Sequence, residues 1–139
     1  MRILIFDIGS PGARAPLVRA LTRLGHEVSA ENDVDAALNC IGEMEIRVVI
    51  ADGRLPKFGW IDLCRQLRAI HGRPHVHFIL LEGPQADDSH EIWAVEAGVD
   101  DFLDKLADET ELRRRLRLAA HRASVTEPAQ EAGSSYGTE

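Results

Sequence analysis

The sequence predicts an α/β fold, in which five parallel β-strands alternate with five α-helices in a doubly wound sheet. Two observations predict it. Apolar segments recur five times along the 139 residues, and the stretches between them carry apolar residues at helical spacing. Several apolar segments are continuous rather than alternating, which is typical of strands covered by helices on both faces. Because strands and helices alternate, neighbouring strands should run parallel with right-handed crossovers.

The strands are predicted over residues 2–6, 26–30, 46–51, 75–81 and 100–104. The chain length suits one domain with a single sheet. For five strands of this kind we expect the flavodoxin-like order 2-1-3-4-5. In that order the functional crevice lies beyond the carboxyl ends of the first and third strands, where the strand order reverses.

Apolar stripes at three- and four-residue spacing mark the predicted helices. The stripes are Leu17, Leu21 and Leu24; Ala36, Ala37, Cys40 and Ile41; Trp60, Leu63, Leu67 and Ile70; Ile92 and Val95; and Leu112, Leu116 and Ala120. Asp108 and Glu111 form a predicted capping box before the last stripe. Periodicity ends after Val125, so we predict a domain over residues 1–124 and a flexible tail or linker over 125–139.

Composition excludes several classes of function. The net charge of −7 argues against a nucleic-acid-binding surface. No apolar run approaches the roughly 20 residues that span a bilayer, and the N-terminus lacks the pattern of a signal peptide, so a cytoplasmic protein without membrane contact is expected. Cys40 and Cys64 have no metal-binding or redox spacing, and both are expected to be small buried residues.

Three charged residues stand at the carboxyl ends of predicted strands: Asp7, Asp52 and Lys105. Burying charge is unfavourable unless it is paired or bound to a metal, so their convergence on one edge of the sheet indicates a function. The set suits phosphoryl transfer, because one carboxylate can act as nucleophile, oxygen ligands can hold Mg²⁺, and a lysine can pair with a phosphoryl oxygen.

The motifs that carry these residues resemble the receiver domain of two-component response regulators. The similar segments are "RILIFD", "VSAENDVDAAL", "VVIADGRLP", "IDLCRQLRA" and "EAGVDDFLDK". The resemblance implies a signalling module rather than an enzyme. It also implies that Asp52 accepts phosphate from a histidine kinase or phosphotransfer protein, that Asp7 and Asp52 organise Mg²⁺, and that Lys105 contacts the phosphoryl group.

Three departures from the family pattern bear on the chemistry. Ile8 replaces the second of two adjacent acids, the direct metal ligand, so Mg²⁺ binding should be weak or absent. Glu82 stands where the family usually has a serine or threonine hydroxyl after the fourth strand. Leu106 replaces the proline that usually follows the lysine. We therefore expect impaired Mg²⁺-dependent chemistry.

Two residues could compensate for the lost ligand. Arg54 follows Asp52 by two positions and could stand in at the metal position as a fixed cation, or it could point to solvent. Because Asp7 and Asp52 should repel each other across the crevice, we expect Lys105 or Arg54 within hydrogen-bonding reach of Asp52. Glu82 could pair with either cation, which would satisfy the site without phosphate.

Two further features concern switching and assembly. Phe102 occupies the position of the family's switch aromatic, although a phenylalanine in a strand is also ordinary core. In the family, the face formed by the fourth helix, the fifth strand and the fifth helix is a usual dimer surface. Here Asp100, Asp101 and residues 113–115 supply opposite charges near that face, so a weak homodimer or a monomer is expected.

Alternative functions remain open from the residues alone. The chain could be a phosphorylation-independent pseudo-receiver that acts as a protein-interaction module, or a flavodoxin-like nucleotide or cofactor binder. His75 and His77 share one strand face, but no third metal ligand is near them in sequence. The segment around residues 61–81 is also similar to receivers that precede diguanylate cyclase domains, which predicts an output domain beyond the tail.

Overall fold

A computed structural model describes residues 1–6, 11–53, 59–72, 74–83 and 88–131 of the chain, with backbone only at 11, 88–90 and 123–131. The described residues form five strands and five helices in strict alternation. The elements are β1 (Arg2–Phe6), α1 (Pro11–Arg23), β2 (Glu27–Glu31), α2 (Val34–Glu43), β3 (Val48–Asp52), α3 (Gly59–Ala69), β4 (His77–Glu82), α4 (Asp88–Ala97), β5 (Asp101–Asp104) and α5 (Glu109–Glu131).

The strands form one parallel sheet in the order β2-β1-β3-β4-β5, which confirms the predicted fold and strand order. The strand boundaries differ from the predicted ones by two residues or fewer. The difference that matters is at β3, since Asp52 is the last residue of the strand rather than the first residue after it. Its backbone is therefore held by the sheet.

Alternate residues of the strands divide the interior into two apolar layers. On one face, Leu4, Val49 and Phe78 lie in register across three strands and pack against α2, α3 and α4. On the other face, Ile50 and Ile79 belong to the layer that α1 and α5 cover. Burial on both faces explains why these strands have continuous rather than alternating apolar sequences.

The predicted stripe on α4 is wrong. Ile92 and Val95 are 57% and 64% exposed, whereas Ala94 and Ala97 are buried in the layer beneath α3 and α4. Small alanine side chains therefore form the buried face of α4, and the larger residues point outwards. A stripe of large side chains is a poor guide where a helix packs through alanines.

The beginning of α5 shows half of the predicted capping box. The backbone N–H of Glu111 donates to Asp108 Oδ1 over 2.9 Å, as in an N-cap, but the Glu111 carboxylate accepts from Arg115. The helix continues to Glu131, beyond the position where sequence periodicity ends. Residues 125–131 are thus helical in their backbone, 132–139 lie outside the described residues, and a linker role for 125–139 stays a prediction.

Both cysteines are free thiols. Cys64 on α3 is fully buried, and its burial raises the pKa of the thiol to about 11, while Cys40 on α2 is only half-buried. The expectation of two buried cysteines is therefore confirmed for Cys64 and wrong for Cys40. Among the described helices, none has the length and apolar character needed to cross a bilayer.

Candidate functional site

Asp52 ends the central strand of the sheet. The four residues before it in β3 are apolar and buried, and Asp52 itself is only 6% exposed. Its neighbour in the register is Leu81 of β4, and the N–H of Gly53 donates to the Leu81 carbonyl. These contacts fix the Asp52 backbone, so its carboxylate has a defined position at the carboxyl edge of the sheet.

Lys105 pairs with Asp52 across the intervening strand β4. The backbone N–H of Lys105 donates to the Glu82 carbonyl, which places the lysine just after β5. Its side chain reaches back, and Nζ lies 2.8 Å from Asp52 Oδ1. The predicted cation within hydrogen-bonding reach of Asp52 is therefore present, and it is Lys105. The ion pair is charge-assisted and shielded from solvent on the aspartate side, because the Asp52 side chain is 6% exposed whereas that of Lys105 is 27% exposed.

Glu82 ends β4 beside this ion pair. Its side chain is half-buried, and its Oε1 atom is shielded from solvent. Neither Leu81 nor Gly83 offers a hydroxyl. The carboxyl edge of β4 therefore presents a carboxylate where a receiver usually presents a hydroxyl, and it does so between the strands that carry Asp52 and Lys105.

The turn after Lys105 uses the residue that replaces proline. The N–H of Leu106 donates to Asp104 Oδ1 over 2.8 Å, and the Leu106 side chain is exposed. Proline has no N–H, so this hydrogen bond depends on the departure from the family pattern. The bond ties the residues on either side of Lys105 together.

A cleft of about 460 Å³ opens beside the Asp52–Lys105 pair. Its walls come from α1, from the ends of β3, β4 and β5, and from the beginning of α5. Arg23 and Glu109, which form an exposed ion pair between α1 and α5, also line it. The lining of the cleft therefore combines two cationic side chains, Arg23 and Lys105, with the acids Asp52, Asp104, Asp108 and Glu109.

The remaining predicted ligands of the cation site, Asp7 and Arg54, lie outside the described residues, as does Ile8. The described part of the crevice offers Mg²⁺ the carboxylate of Asp52, one oxygen of which already contacts Lys105. Mg²⁺ prefers six oxygen ligands in near-octahedral geometry. Asp52 supplies one carboxylate oxygen to such a set, and the sequence has a single acid, Asp7, directly after the residues of β1.

The other predicted residues have ordinary structural contacts. Phe102 on β5 is half-buried and packs against the layer beneath α3 and α4. Asp101 pairs with Arg115 of α5 over 2.6 Å, and Arg115 also pairs with Glu111. These charges are used within the chain, so they are weaker support for an intermolecular contact than the sequence suggests.

A second polar cluster lies at the opposite edge of the sheet, where β4 and β5 begin. Arg68 of α3 donates to the carbonyls of Val76 and Gly98 and to Asp100 Oδ2, the last over 2.7 Å. Gly98 has φ of +105°, and a Cβ atom there would lie 2.7 Å from Arg68 Cγ, so a glycine is required beside the guanidinium. Arg68 thereby joins α3 to the beginnings of β4 and β5.

The carboxylate of Asp100 is contacted by three residues with hydrogen-bond donors. Besides Arg68, the backbone N–H of Phe78 donates to Oδ2 over 2.8 Å, and His75 Nε2 lies 3.0 to 3.1 Å from the two oxygens. Burial alone would raise the pKa of Asp100, but the hydrogen bonds of His75 and Phe78 and the charge of Arg68 outweigh it and lower the pKa. Asp100 is therefore a carboxylate at neutral pH.

His77, the first residue of β4, faces the same cluster. It is only 2% exposed, its Nδ1 lies 3.9 Å from Asp100 Oδ2, and burial lowers the pKa of its imidazole. Sequence reasoning noted His75 and His77 but missed Asp100 as their neighbour. The signal was the parallel pairing of β4 with β5, which brings together residues more than 20 positions apart.

A family model of the response regulator receiver domain matches residues 3–117. The DNA-binding response regulator MtrA of Mycolicibacterium smegmatis is 32% identical over 129 residues, which are 93% of this chain and 54% of MtrA. The chain thus spans about half the length of the curated relatives it matches.

Solved structures agree with this relationship. A response regulator from Chloroflexus aurantiacus superposes with a TM-score of 0.75 at 27% identity, covering 87% of this chain and 98% of that one. A two-component system response regulator/GGDEF domain protein gives a TM-score of 0.75 at 21% identity, covering 89% and 50% of the two chains, a likeness of fold alone. The family match, the strand order and the placement of Asp52 agree, and the chain belongs to the response regulator receiver domain family.

Proposed function

We propose that this receiver domain is a phosphoacceptor in a phosphorelay and that Asp52 carries the phosphoryl group. The observation that supports it best is the 2.8 Å contact between Lys105 Nζ and Asp52 Oδ1 at the edge of an open cleft. A carboxylate held at the end of a central strand is a positioned nucleophile, and a lysine beside it can stabilise negative charge on a transferred group.

In the proposed step, a carboxylate oxygen of Asp52 attacks the phosphorus of a phosphohistidine on a histidine kinase or phosphotransfer protein. A P–O bond forms, the P–N bond breaks, and the leaving imidazole nitrogen takes up a proton. Lys105 then exchanges its contact with Asp52 for one with a phosphoryl oxygen. Mg²⁺, when bound, would neutralise phosphate charge, and Asp7 and Asp52 would hold it.

A test uses acetyl phosphate with and without Mg²⁺, followed by intact-mass measurement and peptide mapping. We expect one phosphoryl group per chain, on the peptide that contains Asp52. No label at any Mg²⁺ concentration, under conditions that label a receiver with both acids, would overturn the phosphoacceptor proposal. Label on a different residue would overturn the assignment of Asp52.

Restoring the missing acid should reveal the metal site. We expect Ile8→Asp to strengthen Mg²⁺ binding at least about tenfold, because one added carboxylate ligand contributes about 1.4 kcal/mol or more. Mg²⁺ titration monitored by tryptophan fluorescence measures the change, with Ile8→Asn as a nearly isosteric uncharged control. Equal affinities in Ile8→Asp and the unmodified protein would show that Ile8 does not occupy the ligand position.

A second candidate function is a pseudo-receiver that binds a protein partner without phosphate. The observation that favours it is Glu82, a carboxylate beside the Asp52–Lys105 pair where an incoming phosphoryl group would meet repulsion. In this reading Lys105 permanently neutralises Asp52. Absence of any acetyl phosphate label in a folded, Mg²⁺-saturated protein would favour this candidate over the first.

Three further proposals concern the output domain, the location and the assembly of the full protein. The chain spans about half of its curated relatives, so we propose that an output domain accompanies it in the full protein. The resemblance to receivers that precede diguanylate cyclases favours that class. We also propose a cytoplasmic location and, as a weak contact, a homodimer through α4, β5 and α5. Phe102, half-buried on β5, is the proposed switch aromatic at that face.

A further inference from the structure

The cluster at the beginning of β4 and β5 contains the donor types of a transition-metal site. His75, His77 and Asp100 each have one potential ligand atom, and these atoms lie within 4.8 Å of one another. The cluster is at the opposite edge of the sheet from Asp52, because its residues lie at or just before the beginnings of β4 and β5, whereas Asp52 ends β3 and Lys105 follows β5. It therefore belongs to no part of the phosphoacceptor site.

We propose that His75, His77 and Asp100 bind one zinc-type transition-metal ion at the beginning of β4 and β5. Two imidazoles with one carboxylate suit Zn²⁺, Co²⁺ or Ni²⁺, whereas Mg²⁺ prefers oxygen ligands alone. Three protein ligands leave a fourth position for water, and His75 is 31% exposed on the solvent side. An ion could thus enter without unfolding of the core.

The two oxygens of Asp100 have different surroundings, and this supports the proposal. Oδ2 accepts from Arg68 and from the Phe78 N–H, which occupies both of its lone pairs. His75 Nε2 lies 3.1 Å from Oδ1 and 3.0 Å from Oδ2, so Oδ1 has fewer contacts than Oδ2. A metal bound to Oδ1 would take that His75 nitrogen as a ligand as well, while Arg68 and Phe78 remain as outer donors that orient the carboxylate.

The buried position of His77 also supports a metal site. Its Nδ1 atom faces Asp100, 3.9 Å from Oδ2 and thus beyond hydrogen-bonding distance, and it is the atom that would bind the ion. The Nε2 atom on the other side of the ring is buried without a hydrogen-bond partner among the described residues, and it would not be a ligand. Burying a polar side chain is unfavourable at a strand position that an apolar side chain could fill. Coordination of a metal by His77 gives the imidazole a role that packing does not.

The distances require a modest rearrangement. Ligand atoms of a tetrahedral zinc site lie about 3.3 Å apart, as follows from bonds of 2.0–2.1 Å. The observed separations run from 3.0 Å between His75 and Asp100 to at most 4.8 Å within the cluster. Rotation of the partly exposed His75 side chain and a small shift of His77 would bring the ligands to metal distance. The nearby positive charge of Arg68 opposes the ion, so micromolar rather than tighter affinity is expected.

Calorimetric titration of metal-free protein with zinc chloride tests the proposal. We expect one Zn²⁺ per chain, no displacement by millimolar Mg²⁺, and a visible absorption band with cobalt chloride. His75→Gln, which can still reach Asp100 by a hydrogen bond, and His77→Phe, which preserves volume, should each weaken binding at least tenfold. The exposed His71 supplies the matched control, and His71→Gln should bind zinc as the unmodified protein does.

Several outcomes would overturn the proposal. The first is that the unmodified protein binds no zinc. The second is that His75→Gln binds zinc as tightly as the unmodified protein, which would place the ion elsewhere. Should His77→Phe fail to fold, His75→Gln decides alone. The Asp52→Asn variant should bind zinc with the affinity of the unmodified protein. Failure of the phosphoacceptor proposal would therefore not affect the zinc proposal, and failure of the zinc proposal would not affect the phosphoacceptor proposal.

Discussion

Replacement of Lys105 by methionine should slow phosphorylation of Asp52 by acetyl phosphate about 100-fold. Methionine keeps an unbranched side chain of similar length but removes the ammonium group that lies 2.8 Å from Asp52. Loss of a positioned charge-stabilising donor commonly reduces a transfer rate by this order. The rate of label incorporation, measured by intact mass, gives the result directly.

The matched control is Arg23→Met, which removes a different cation from the rim of the same cleft. Arg23 pairs with Glu109 and not with Asp52 in the structure. We expect less than about a threefold change in rate, because an exposed cation acts on approach and is screened by salt. Similar losses in both variants would mean that Lys105 acts only through the overall charge of the cleft.

Stability measurements separate the transfer role of Lys105 from its role as a counterion. Lys105→Met leaves the buried Asp52 carboxylate without this partner and should cost about 1–2 kcal/mol in the free energy of unfolding, less than a fully buried pair because Lys105 is partly exposed. Asp52→Asn should abolish the phosphoryl label. In a chain that also carries Lys105→Met, it should remove the unpaired buried charge and so recover part of the lost free energy of unfolding. The double variant should therefore lose less than the sum of the single changes, as urea unfolding would show.

Replacement of Asp100 by alanine should destabilise the protein by about 2–3 kcal/mol. The change removes the acceptor of Arg68 and of the Phe78 N–H, and it leaves a guanidinium that is about three-quarters buried without its carboxylate. Breaking a buried ion pair on one side is costly, and we reduce the usual figure because both partners keep some exposure. Urea unfolding monitored by far-ultraviolet circular dichroism measures the loss.

Asp104→Ala is the matched control, since Asp104 is an exposed acid at the end of β5 whose side chain accepts a hydrogen bond from the Leu106 N–H. It should cost less than about 1 kcal/mol. The cost of Asp100→Ala should also depend on pH. The folded-state pKa of Asp100 is lowered, so its stabilisation is complete above the ordinary value of 3.8 and declines as pH falls through the folded pKa. A cost that persists unchanged in strong acid would contradict this account.

The sequence by itself determined the fold and the identity of the strand-end residues. Continuous apolar runs such as residues 48–51 predict strands buried on both faces, because a one-sided strand would alternate. A charged residue directly after such a run must lie at the sheet edge, whatever the details of the core. That is why Asp52 and Lys105 could be placed together before any coordinates, and the 2.8 Å contact agrees with that placement.

Local pattern was less reliable where side-chain size misled it. The stripe on α4 predicts that Ile92 and Val95 face the apolar interior, but Ala94 and Ala97 face it instead. The distance between a helix and a sheet is set by the whole packing arrangement, and sequence periodicity does not report it. The sequence also did not predict that α5 continues to Glu131, because no apolar stripe marks this part of the helix.

Only the tertiary structure decided which distant residues share an environment. Asp100 lies 25 residues from His75, and parallel pairing of β4 with β5 brings the two within hydrogen-bonding distance of each other. Likewise, the sequence named Lys105 and Arg54 as candidates for the cation beside Asp52; the structure places Lys105 there, and Arg54 lies outside the described residues. Residue type predicts which chemistry a side chain offers, whereas the register of neighbouring strands determines which partners it meets.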